Sequence, residues 1–124
     1  MKALTAIFVV FAFLSASLMA DDQMEMLENF SCNYSKGKDF DDVVSVAKTW
    51  NDWADEAFSV PYQAYLFTPF FVDGNDFDFD FFWVGVADSP SHMGRINDEF
   101  VKKGAAMQRE FDKVSDCSGH SLAT

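Results

Sequence analysis

Residues 77–92 read FDFDFFWVGVADSPSH, and the fold follows from how this stretch is understood. Its first half sets Phe77, Phe79 and Phe81 against Asp78 and Asp80, the two-residue period of a strand with one wet face. From Phe81 to Val86 no polar side chain interrupts it, as expected where both faces of a strand become covered. Ser89 and Pro90 then end the run: serine accepts from free N–H groups at a helix start, and proline suits the first helical position. A strand feeding directly into a helix is therefore the unit around which the remaining elements must be arranged.

Just upstream, Asp73, Gly74, Asn75 and Asp76 carry the strongest turn signal in the chain. Residues 62–72 before that turn are aromatic and extended in character, with Pro69 pointing to an edge or a bulge, so the two runs predict a β-hairpin. Further upstream, Val43, Val46, Ala47, Trp50, Trp53, Ala54, Ala57 and Phe58 recur at steps of three and four. That spacing predicts a helix, capped by Asp39, with Asp41 and Asp42 in its first turn and Pro61 marking its end. Residues 30–34 read as a short first strand, closed by Gly37. Downstream, Met93, Ile96, Phe100, Met107, Phe111 and Val114 keep helical spacing across Gly104, predicting a helix to Lys103, a break, and a shorter helix to Lys113. Residues 116–122 are the candidate last strand.

The order is strand, helix, strand, strand, helix, strand. It predicts a ferredoxin-like βαββαβ sandwich of the α+β class, an antiparallel sheet with two helices on one face. In that topology the first and last strands are neighbours, which brings Cys32 close to Cys117, and the two cysteines are expected to form a disulfide. The alternatives are a redox pair or metal ligands. Neither cysteine sits in a C-x-x-C spacing, and His120 is the one histidine near Cys117, so no metal is assigned.

Residues 1–20 read as an export leader: Lys2, an apolar run, then a small-residue tail before Asp21 and Asp22. A signal anchor and a lipoprotein are its rivals. Acids follow the run where a stop-transfer pattern places Lys or Arg, and Cys32 lies well beyond its edge. Residues 21–29 read as a loose acidic lead-in and residues 30–124 as a single α+β domain, exported to a bacterial periplasm or secreted. The chain carries 20 acidic and nine basic residues, and only Lys2 of these precedes Asp21, which leaves about −12 beyond the leader. So acidic a chain disfavours nucleic acid, and disfavours a membrane once the leader is cleaved, while favouring cations and basic partners. Its 15 Phe and three Trp rule out disorder from charge alone.

At fold level the chain resembles the dimeric α+β barrel superfamily, through Phe81 to Val86 followed by Asp88, Ser89, Pro90, Ser91 and His92 at the start of a helix containing Phe100. That group includes antibiotic-biosynthesis-type and haem-degrading monooxygenases. The resemblance implies a homodimer that joins two sheets into a barrel, and a pocket between sheet and helices. No Asn, Trp and His set falls at the haem-degrading positions, Ala87 standing where that pattern has its Trp.

His92, in the first turn of the second helix, is the candidate proton acceptor, with Arg95 one turn on as its companion; the alternative is a surface or capping histidine. Asn33 and Tyr34 on the first strand and Trp83 on the third are candidate pocket residues. The acidic turn at Asp73, Asn75, Asp76, Asp78 and Asp80 offers oxygen ligands of the kind calcium takes, but Asp78 stands where an EF-hand needs Gly. No phosphate loop, paired-His motif or nucleophile elbow is present, so no cofactor is assigned. The expectation is a non-catalytic exported module binding an unknown protein or a small apolar ligand; the alternative is a small cofactor-free monooxygenase-like enzyme.

Overall fold

The structure is a computed structural model that describes residues 24–70 and 77–124. The leader segment, residues 1–20, and the turn at residues 73–76 lie outside the described residues. The described elements run β1 (Met26–Tyr34), α1 (Phe40–Ala57), β2 (Gln63–Phe67), β3 (Phe81–Ala87), α2 (Pro90–Lys103), α3 (Ala105–Asp112) and β4 (Ser115–Ala123). The sheet order is β2-β3-β1-β4, and every neighbouring pair is antiparallel. This is the ferredoxin-like α+β fold.

Helices α1 and α2 begin where the sequence supplies a side-chain cap, whereas α3 follows Gly104 without one. The Asp39 carboxylate accepts from the N–H groups of Asp41 and Asp42, while the Asp42 carboxylate accepts from the N–H of Asp39, a reciprocal capping box. Ser89 Oγ accepts from the His92 N–H with Pro90 in the first turn. Gly104 separates α2 from α3, and a Cβ placed there would lie 2.6 Å from the Phe100 ring and 2.7 Å from the Phe100 carbonyl oxygen. Only a glycine lets the chain turn the break this close to Phe100.

Strand parity sorts the sheet into two faces. Glu28, Phe30 and Cys32 of β1, Phe81, Trp83, Gly85 and Ala87 of β3, and Ala64 and Leu66 of β2 share the face covered by the helices. There Trp50 and Ala54 of α1 and Met107 of α3 pack on Trp83, while Met93 and Ile96 of α2 pack on Ala87. Cys32 and Cys117 stand opposite each other in the β1–β4 register and form a disulfide, closing a separation of 85 residues. Such a bond fits an oxidising compartment. Among the described residues no helix is long and apolar enough to cross a membrane.

Three boundaries differ from the sequence reading. Strand β1 starts at Met26 and not at Phe30, so residues 26–29, read as lead-in, are paired with residues 84–87 of β3. The polar look of this stretch comes from Glu28, which points inward and is 6% exposed. Strand β3 starts at Phe81, and the alternating residues 77–80 are not strand. The Asp80 N–H bonds to the Cys32 carbonyl and its carboxylate accepts the Tyr34 N–H, so a side chain replaces the ladder there. Within the described part of the predicted 62–72 run, residues 62–70, strand β2 spans five residues, Gln63–Phe67.

Candidate functional site

A cavity of about 140 Å³ lies between the inner face of the sheet and the helices. Aromatic rings make most of its wall: Phe30 and Trp83 from the sheet, Trp50 from α1, Phe58 just after it, Phe100 from α2 and Phe111 from α3. Trp83 meets Trp50 at 4.8 Å and Phe111 at 5.1 Å, both edge to face, the arrangement aromatic quadrupoles favour.

The polar part of the wall is built across one level of the sheet, where Glu28, Gly85 and Ala64 stand side by side on adjacent strands. Gly85 has no side chain and Ala64 only a methyl, and the phenol of Tyr62, from the loop before β2, fills the space they leave. A Cβ on Gly85 would lie 1.8 Å from the Tyr62 oxygen. Trp83 Nε1–H donates to Tyr62 Oη at 3.1 Å, and Tyr62 donates to Glu28 Oε1 at 2.5 Å. An indole N–H can only donate, so it fixes the direction of the chain and makes Glu28 the acceptor. Burial first, and then the negative charge of Glu28, push the Tyr62 phenol well above its ordinary value, so it keeps the proton that it donates.

The other carboxylate oxygen, Glu28 Oε2, lies 3.1 Å from His120 Nε2. His120 is stacked on Phe30 at 4.3 Å with the rings 6° from parallel. Its presence on this face depends on a β-bulge. Phe30 pairs with His120 and Ser31 with Ser118, so Gly119 is the extra residue, in the left-handed region at φ 68°. In a regular ladder that paired Gly119 with Phe30, His120 would oppose Asn29 and point to the other face.

Of the residues singled out from sequence, Trp83 lines this cavity. His92 sits in the first turn of α2 with 35% of its side chain exposed, its Nδ1 3.9 Å from Asp88 Oδ2 and outside hydrogen-bonding range. Arg95 is exposed one turn further along, and Asn33 is exposed on the outer face of β1. Tyr34 is half-buried at the end of β1, stacked on Phe81 at 5.4 Å; burial first, then Asp80 and Asp39, push its phenol up. Those four are absent from the cavity wall. Sequence reasoning passed over Glu28, Tyr62 and His120. Glu28 fell in the presumed lead-in, Tyr62 in an aromatic run read as strand, and His120 turns inward through a bulge whose one trace in the sequence is Gly119.

Comparison with family models and with curated protein sequences gives no match. Solved structures do match the fold. SnoaB, a cofactor-independent oxygenase from Streptomyces nogalater, aligns with TM-score 0.54 and 12% identity over 81% of this chain and 91% of that one. A dimeric ferredoxin-like protein of unknown function from Thermobifida fusca gives 0.52 and 11%, over 82% and 89%. An EthD-like protein from Ralstonia eutropha gives 0.52 and 14%, over 82% and 91%. At these identities the likeness is one of fold, that of the dimeric α+β barrel and ferredoxin-like proteins.

Proposed function

We propose that this chain is an exported, non-catalytic binding protein whose cavity takes a compact, largely apolar ligand, and that two copies associate through the open face of the sheet. The observation that carries the reading is the cavity, walled by aromatic rings with a small, internally hydrogen-bonded polar group at one side. An apolar cavity of about 150 Å³ holds a benzene ring, so the ligand or its buried part is about one ring in size. The leader-like residues 1–20 and the disulfide support export. The test is a titration with neutral single-ring aromatics, followed by the indole N–H resonances in a nitrogen-correlated spectrum. Saturable shifts are expected at Trp50 and Trp83, which line the cavity, and not at Trp53, which does not. No shift at either would sink the binding reading.

One observation favours a second reading, a cofactor-free oxygenase such as the name of SnoaB describes. His120 is hydrogen-bonded to Glu28, which lines the cavity, so an imidazole stands one residue behind the wall, where it could take a proton through or beside that carboxylate. This role, given to His92 and Arg95 on sequence grounds, passes to His120. Dioxygen uptake with an electron-rich phenol, lost in His120→Ala, would support the oxygenase, and no uptake would leave binding alone.

A further inference from the structure

We propose that the cavity is selective for a small organic cation, an amine carried on a body of about one ring; this rests on the binding reading above and names its ligand. Among the described residues, Glu28 is the only charged one on the cavity wall, and no Lys or Arg lines it. Its side chain is 7% exposed. The groups that face it are Tyr62 and His120, each supplying one hydrogen bond, one to each carboxylate oxygen. A carboxylate accepts about four, so each oxygen retains room for another donor, and a ligand that brings N–H groups satisfies it. The remaining polar lining residues, Asn97 and Gln108, are neutral, and the Gln108 amide already donates to Asp112.

The rings add to the same preference. Trp50 lies 5.1 Å from Tyr62 and 4.8 Å from Trp83, at 58° and 79°, so the cluster turns ring faces as well as edges to its surroundings. A cation gains from an aromatic face, most from indole. An anion of the same size would meet the buried charge of Glu28 and lose its hydration, so it is refused. The net charge of −11 raises the local concentration of cations around the whole molecule.

The experiment uses three probes of one shape, benzylamine, benzyl alcohol and benzoate, titrated into the full chain by calorimetry and tryptophan fluorescence. Benzylamine is expected to bind about tenfold tighter than benzyl alcohol, the effect of one charge-assisted hydrogen bond, with benzoate weakest. In Glu28→Gln the preference should vanish while benzyl alcohol still binds. Repeating the wild-type series at high salt gives a reading that needs no variant: surface attraction is screened and the buried contact far less, so the preference should persist. If benzyl alcohol equals or beats benzylamine, the cation inference is overturned and the cavity reading stands. A preference that disappears with salt, or survives in Glu28→Gln, also overturns it. If none of the three binds, both readings fall.

Discussion

Tyr62 is held as a proton donor by its surroundings, and this makes its contribution depend on pH. In the unfolded chain a tyrosine titrates near 10, whereas the folded value is raised, by burial first and then by Glu28. A raised folded value means stability that is full below the unfolded one and lost as pH climbs through the alkaline range. Denaturant unfolding should therefore show stability falling above about pH 10, with most of that slope absent in Tyr62→Phe. At neutral pH the same substitution strips partners from Glu28 and Trp83, at a cost of about 1–3 kcal/mol. Gly85 acts by what it lacks. Gly85→Ala puts a methyl into the Tyr62 phenol, which must swing away from Glu28, so a loss of about 1–3 kcal/mol and a shifted Trp83 indole resonance are expected. Unchanged stability in Gly85→Ala would mean that the phenol does not occupy that position.

Among the elements, the β1–β4 pair does most to place the polar wall. Its ladder is reinforced by the disulfide, and in the chain-entropy model a closed loop of 85 residues is worth about 4–5 kcal/mol, which a comparison of urea unfolding with and without reductant would measure. The Gly119 bulge fixes which way His120 faces. Gly119→Val forces a branched side chain to φ 68° and should cost about 1–2 kcal/mol; deleting Gly119, the extra residue, should leave Ser118 opposite Ser31 and His120 opposite Phe30 in an unbulged ladder, so that His120 stays on the inner face and keeps its NMR coupling to Glu28. The helices were legible because their signals are local: Val43, Trp50, Ala54 and Ala57 repeat along one stripe, and Asp39 and Ser89 announce the starts. The neighbouring first and last strands, and with them the cysteine pair, followed from element order. The polar wall was not legible, since a single inward carboxylate reads as a solvated loop unless its donors are known. Those donors, Tyr62 and His120, lie 34 and 92 residues away and are brought in by a glycine gap and a bulge, neither of which has a periodicity.

At the scale of the whole molecule, the distribution of charge argues for association through the sheet. The outer face carries Leu27, Asn29, Val84, Val86, Tyr65 and Phe67, and of its strand residues only Asp116 on β4 is charged, in a chain with 23% charged residues. Tyr65 and Phe67 are about half exposed, and Phe77 extends the apolar surface by packing edge to face on Phe82. A sheet face with one charged strand residue and several aromatics, on so acidic a protein, is what a covered surface requires. Light scattering behind size exclusion should accordingly give twice the chain mass. Val84→Lys, at the centre of the face, should yield monomers that unfold at nearly the denaturant concentration the wild type shows once diluted to monomer, because the position lies outside the helix-covered core. Since each copy carries a large negative charge, the dimer should tighten as salt screens their repulsion over about 10 Å at 0.1 M, the reverse of an interface held by ion pairs. A wild type that stays monomeric at high salt and high concentration would refute association through this face, and would leave the cavity to a single chain.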